Sequence, residues 1–216
     1  MNYLVTAGPS YEPLDEVRRL TNFSTGKLGS ELANFLVSRG HDLTLLLGYY
    51  ATYRGEQRAQ KVETFTTTAN LAERLQMLAH RPCDAMFHAA AVSDFTIGKV
   101  WEGSPGQGLR EVKSAKVSTR QGSLWAELLP TPKIISQLRQ WFPQARLIGW
   151  KYEMDGKRSQ VISRAEQQLS ENRTDACVAN GRAYGEGFGL VTGAGKWLHA
   201  PDSSALFSAL ADFVGA

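Results

Sequence analysis

VTAGPSYEPLDEVRRLTNFSTGKLG, residues 5–29, is the stretch on which the reading of the fold turns. Its apolar start reads as the end of a short buried strand, Tyr3 to Thr6, that stops in a turn of small residues at Gly8. A polar loop carrying Asp15, Arg18, Arg19 and Asn22 follows, and Ser24-Thr25-Gly26-Lys27-Leu28-Gly29 then reads as a helix entry. A strand that delivers a glycine turn onto a helix N-terminus makes a site for anions. The first backbone N–H groups lack intrahelical partners there, and the helix dipole stands behind them. The loop is longer than a plain connection needs, a trait of loops that bind or catalyse. Ser24 or Thr25 is placed to cap the helix. Gly26 and Gly29 would let a ligand or a strand come close to the backbone, and helix–strand packing alone would account for one of them. Neither the Walker spacing GxxxxGK nor GxGxxG is present, which counts against a dinucleotide fingerprint.

Working outward, Leu28, Leu32, Phe35 and Leu36 keep helical spacing until Gly40. Leu43 to Leu47 is a nearly continuous apolar strand, as expected where helices cover both faces of a sheet. Val62 to Phe65 reads as a strand, the leucines from Leu71 to Leu78 as a helix, and Ala85 to Ala91 as a strand ending in small residues. Such alternation predicts an α/β, doubly wound, mostly parallel sheet with ligands beyond the carboxyl ends of its strands. The turns after Thr6 and after Ala91 should then face one crevice. Residues 96–122 are rich in Gly, Ser, Lys and Arg with little apolar periodicity, and read as an inserted flap. Beyond it come a strand at Leu124–Leu129, a helix at Pro132–Phe142, a strand at Leu147–Tyr152, a helix around Val161–Leu169 and a strand at Ala176–Ala179. A glycine-turned hairpin at Phe188–Leu198 and a closing helix at Ala205–Val214 complete one domain over residues 1–216.

A hydrophobic share of 43% with 21% charged residues is globular composition and argues against disorder. The longest apolar runs are too short to span a bilayer, and the N-terminus lacks the layout of a secretion signal. Cys83 and Cys177 stand far apart with no zinc-type spacing, which points to a reducing cytoplasm and away from a disulfide framework. The net charge of +3 is too small to argue for nucleic acid.

Arg18 and Arg19 read as solvated surface unless the helix end beside them binds a phosphate or carboxylate, which guanidinium matches. Asn22 either closes an Asx-turn or orients a substrate carbonyl or amine. Ala90 and Ala91 leave room for a ligand at the strand end, and Asp94 is a turn residue or a partner for a hydroxyl, an amine or hydrated magnesium. His88 reads as a core histidine satisfied by one hydrogen bond. Lys113 and Lys116 are solvated unless the flap closes over a triphosphate.

These pieces resemble the phosphopantothenate–cysteine ligase (phosphopantothenoylcysteine synthetase) family of coenzyme A biosynthesis. AGPSYEPLDEVRRLTNFSTGKLG, residues 7–29, follows the family's opening motif almost position by position. AAAVSDF (89–95), KSAK (113–116), TPKII (131–135), LIGWKYE (147–153) and DACVAN (175–180) resemble its later segments. The resemblance implies a Rossmann-like homodimer that joins 4′-phosphopantothenate to cysteine through an acyl-nucleotide, using CTP or ATP with magnesium. Carried over by motif, Gly8, Ser24, Gly26 and Gly29 would hold the nucleotide, with Lys116 in the flap and Trp150 and Asn180 near base or ribose. Asn22, Ala90, Ala91 and Asp94 would hold the pantothenate portion. Arg18 would reach the substrate of the partner subunit, and Lys113 would serve activation.

The flavin-binding decarboxylase domain often fused ahead of such chains is not in this sequence, so no flavin is expected, and the resemblance admits a separate decarboxylase as partner. The chain departs from the pattern at Ala115, Trp150 and Gly181. Two lysines usual in bacterial members are also replaced, by Gln168 and Asn172 counting back from Asp175, or by Arg164 and Gln168 counting forward from Trp150. Two other readings stand beside the ligase. One is an NAD(P)-dependent reductase, against which the missing GxGxxG and Tyr-x-x-x-Lys count. The other is a non-catalytic or altered-specificity relative that keeps the phosphopantothenate pocket.

Overall fold

In the computed structural model, which describes residues 1–104, 108–112 and 123–215, the alternation of strand and helix carries through the chain. In chain order the elements are β1 (Asn2–Ala7), β2 (Tyr11–Pro13), β3 (Arg19–Thr21), α1 (Lys27–Ser38), β4 (Asp42–Gly48), β5 (Lys61–Phe65), α2 (Thr68–Leu78) and β6 (Ala85–His88). There follow β7 (Phe95–Ser104), β8 (Gly108–Glu111), β9 (Leu124–Pro130), a 3-10 turn (Ile134–Gln137), α3 (Leu138–Trp141) and β10 (Arg146–Tyr152). The last are α4 (Arg158–Asn172), β11 (Ala176–Asn180), β12 (Phe188–Gly193), β13 (Lys196–Ala200) and α5 (Ser203–Val214).

The main sheet runs β13-β12-β11-β10-β6-β1-β4-β5. From β11 to β5 its neighbours are parallel, and the β12–β13 hairpin extends it antiparallel. From β1 the chain winds outward through β4 and β5, then returns to β6 on the other side and continues to β10 and β11. The switch point therefore lies between β1 and β6, where an open α/β sheet leaves a crevice.

Strand alternation sorts the core into two layers. Tyr3, Val5 and Ala7 of β1, with Leu43 and Leu45 of β4 and Phe87 of β6, face α1 and α5. Leu32, Leu36, Leu206 and Leu210 close that layer, each fully buried and contributing roughly 1.5–3 kcal/mol. The opposite sides of the same strands, Leu4, Leu46, Met86 and Leu147, pack on α2, the 3-10 turn and α3. Beside them Val161, Ala165 and Leu169 of α4 cover Cys177 and Ala179 of β11.

Three local readings need correction. Neither Ser24 nor Thr25 caps α1: Gly26 holds the N-cap position at φ 78°, with no side-chain cap. Thr25 Oγ1 accepts only the N–H of Lys27, at 3.2 Å. The helix expected over Pro132–Phe142 is a 3-10 turn followed by one α turn, because Pro143 drives Phe142 out of helical geometry (φ −123°, ψ 69°). The polar loop after β1 holds a short hairpin of its own, β2–β3. The flap's described part is a second, antiparallel sheet, β8-β7-β9, which begins at Phe95 and takes in the strand ending at Pro130. Its side chains are mostly exposed, which is why it shows so little apolar periodicity. Glu12 ties it to the frame: one carboxylate oxygen accepts the Thr96 hydroxyl at 3.1 Å, the other the first-turn N–H of Thr68 in α2 at 3.0 Å.

Among the described residues no helix is long and apolar enough to cross a membrane.

Candidate functional site

The turns after β1 and β6 are laced together. Ala91 N–H donates to the Gly8 carbonyl at 2.9 Å, and Ser10 N–H donates to the Ala91 carbonyl at 3.1 Å. The expectation that both turns face one crevice is met. Buried hydroxyls extend the lacing: Ser93 N–H donates to Ser10 Oγ at 2.8 Å, and Thr131 Oγ1 donates to the Ser93 carbonyl at 2.5 Å.

On one side of the crevice stands the N-terminus of α1. Gly26 and Gly29 are buried, and their missing side chains are replaced by protein. A Cβ on Gly29 would lie 2.6 Å from the Ala7 Cβ, and one on Gly26 3.1 Å from Leu47 Cδ1. Helix–strand packing thus accounts for Gly29, and left-handed backbone for Gly26. Gly8 turns the chain beside Ala51. Ser24 is half-buried, and Asn22 is exposed with its Nδ2–H donating to the Ala91 carbonyl at 3.0 Å. That bond turns the Asn22 amide toward the strand end where Ala90 and Ala91 lie. Arg18 pairs with Asp15 at 2.5 Å, and the Arg19 guanidinium stacks 3.3 Å from the Tyr50 ring centroid.

On the other side, beneath α4 and the 3-10 turn, opens a cavity of about 490 Å³. Ala90, Asp94 and Trp150, singled out from the sequence, line it. Lys133, Ile134, Ile135, Lys151, Glu153 and His88 line it too, and sequence reasoning gave the first five no role. Their signal was present in TPKII and LIGWKYE, two strand-end segments whose residues meet only after folding. Arg164, Gln168 and Asn172 all face the cavity, one helical turn apart on α4. Either register of the lysine pair thus falls on this helix face. Glu153 binds both Arg164 and Lys151, the latter at 3.4 Å. Gln168 Nε2 lies over Gly149 and donates to Cys177 Sγ at 3.2 Å.

At the carboxyl ends of β10 and β11, Trp150 Nε1 and Asn180 Oδ1 are buried without a hydrogen-bond partner. Such orphan groups cost about 1–3 kcal/mol each and mark positions where packing alone does not explain the residue. Burial raises both thiols, Cys83 and Cys177, to about 12, so neither is a ready nucleophile. Among the described residues no cluster of His, Cys, Asp and Glu could hold a metal ion. Lys113 and Lys116 lie outside the described residues.

Comparison with known proteins agrees with this architecture. The coenzyme A biosynthesis bifunctional protein CoaBC of Thermococcus kodakarensis is 33% identical over 178 residues, 82% of this chain and 40% of that protein. The chain thus spans less than half of that relative's length. The DNA/pantothenate metabolism flavoprotein from Streptococcus pneumoniae superposes with a TM-score of 0.86 at 25% identity, covering 100% of this chain and 98% of that one. A Cab2 mutant in complex with phosphopantothenate-cysteine shares the fold, with a TM-score of 0.69 at 19% identity, over 100% of this chain and 89% of that one. The family described as DNA/pantothenate metabolism flavoprotein C-terminal domain matches residues 1–206, so the chain belongs to that family.

Proposed function

We propose that this chain joins the carboxylate of 4′-phosphopantothenate to the amine of cysteine through an acyl-nucleotide, at the expense of CTP or ATP. The observation that carries the reading is the crevice: an uncapped helix N-terminus stands on one side, and on the other lies a nucleotide-sized cavity with Lys133, Lys151 and Arg164 around it. The relative named CoaBC and the Cab2 complex with phosphopantothenate-cysteine support it.

In the first step the substrate carboxylate oxygen bonds to the α-phosphorus, and the bond from that phosphorus to the bridging oxygen breaks as pyrophosphate leaves. In the second the cysteine nitrogen bonds to the acyl carbon, the nucleotide monophosphate departs with its oxygen, and the amine gives up a proton. The reactants are polyanions, so positioning and charge neutralisation supply most of the rate. The cavity takes the nucleoside, with Trp150 and Asn180 near base or ribose. The amides of α1 at Gly26 and Gly29, with Gly8, Ser24 and flap Lys116, hold phosphate oxygens, and magnesium would come bound to the triphosphate, where it would neutralise phosphate charge. Ala90, Ala91 and Asp94 receive the pantothenate portion. Asn22, its Nδ2–H held by Ala91, keeps Oδ1 to orient the incoming amine. Lys113 neutralises charge in the first step, and Arg18 acts across a homodimer.

Pyrophosphate release measured with each triphosphate, with and without 4′-phosphopantothenate and cysteine, tests the reading. Release that requires 4′-phosphopantothenate is expected. Tight NADPH binding with no response to triphosphates would overturn it in favour of a reductase. Asn22→Asp should slow amide formation more than acyl-nucleotide formation, whereas Lys113→Gln should slow pyrophosphate release with folding intact. Unchanged release in the latter would shift the role to Lys116.

A further inference from the structure

His88 ends β6 on the floor of the cavity, between Thr6 of β1 and Gly149 of β10. It is 6% exposed. Its Nδ1 lies 2.9 Å from Thr6 Oγ1, and that oxygen also accepts the N–H of Ala90 at 3.2 Å. Thr6 is fully buried, and Nδ1 is the one acceptor its hydroxyl hydrogen meets among the described residues. Were Nδ1 protonated, that hydroxyl hydrogen would be buried with nothing to bond, at a cost that favours the other tautomer. The Thr6 O–H therefore donates to Nδ1, and the ring proton sits on Nε2. No protein atom among the described residues accepts from Nε2, and it is not among the sealed polar atoms lacking a partner, so it opens to the cavity. Gln168 and Ile135, which fill the space over Gly149 beside it, form the neighbouring wall.

The cavity is graded. Deep within it are His88 and Ile134; toward solvent stand Lys133 and Arg164. A phosphate seated on the floor would lose its water, and the half-buried Lys151 that lines the same cavity is already paired with Glu153, whereas the outer cations can meet phosphates while those remain solvated. Resting on the ligase reading above, we infer that His88 is a specificity-determining residue whose Nε2–H, fixed by Thr6, donates to an uncharged acceptor on the nucleobase. Burial lowers its pKa to about 4, so the ring stays a neutral donor throughout the neutral range.

Two measurements test this. In the unaltered protein, nitrogen NMR of the histidine rings should show His88 as the Nε2–H tautomer at pH 7. Its resonance should move on adding CTP or ATP and stay put with inorganic tripolyphosphate. Calorimetry should show His88→Leu weakening the bound nucleoside triphosphate about tenfold and tripolyphosphate not at all, with His88→Gln, which keeps an N–H donor, recovering most of the loss. An Nδ1–H tautomer, an unmoved resonance on nucleotide binding, or equal losses for tripolyphosphate would overturn the assignment while leaving the ligase reading intact. Absence of any triphosphate binding to the unaltered protein would overturn both.

Discussion

On the α1 side of the crevice, backbone meets backbone: Gly29 rides so close on β1 that no side chain fits between helix and strand. On the α4 side, Gly149 leaves space of the same kind, but side chains from elsewhere fill it, Gln168 from the helix and Ile135 from the 3-10 turn. The first side is made by one continuous segment and is nearly all main chain. The second is assembled from β6, the 3-10 turn, β10 and α4, and its polarity is side-chain polarity. A main-chain site offers oriented N–H dipoles that titration and rotamer changes do not alter. A side-chain site offers selectivity, since each lining residue can be exchanged without refolding the frame.

The sharpest break in this comparison is steric. Gly29→Val should cost about 3 kcal/mol by forcing helix from strand, a fall in Tm of roughly 6–12 °C in urea- and heat-unfolding experiments. An unchanged Tm would mean that α1 is not seated as tightly as Ala7 requires. The next effect concerns the cavity floor. Folded His88 takes a proton only near pH 4, against the ordinary value of 6.5. As pH falls from 6.5 toward 4 the unfolded chain therefore binds a proton the folded chain refuses, and stability present above that window is lost within it. About 2 kcal/mol should disappear between pH 7 and pH 5, measured by urea midpoints. His41, lowered first by burial and then by the N-terminal amine and Arg39, acts with the same sign. The part that His88→Leu removes is the part belonging to the floor.

Toward solvent, Arg164→Met should weaken nucleoside triphosphate and tripolyphosphate alike by about tenfold in calorimetry. Loss confined to the nucleoside triphosphate would place Arg164 at the base instead. The smallest effect returns to α1. Thr25→Ala should change stability by less than about 0.5 kcal/mol because Thr25 is no cap. Asp202→Ala, which removes the side chain that accepts the Ala205 N–H at 2.8 Å and caps α5, should cost about 1 kcal/mol. Equal losses in a paired urea titration would reinstate Thr25 as a cap.

Legibility followed contiguity. The strand, turn and helix of residues 5–29 were readable because hydrophobic period, glycine placement and length all lie within one segment. The β2–β3 hairpin inside that segment was missed, since its three-residue strands carry no period. The cavity was readable only in pieces: TPKII and LIGWKYE stood out, but nothing in either segment shows that Lys133 and Lys151 share a wall. His88 shows the gap most plainly. Its neighbours in sequence identify a buried strand end, and one hydrogen bond was foreseen; that Thr6, 82 positions away in the chain, takes one ring nitrogen and leaves the second to a cavity follows from the register of β1 on β6.

By itself, then, the sequence determined the α/β alternation, the parallel sheet and the glycine-turned entry to α1, because local sterics, periodicity and backbone hydrogen bonding act over a few residues at a time. Only the tertiary structure decided which side chains meet beneath α4, which nitrogen of His88 carries the proton, and that Gly29 serves packing. Those outcomes depend on register between strands remote in sequence and on which donors are left with an acceptor once the chain is folded.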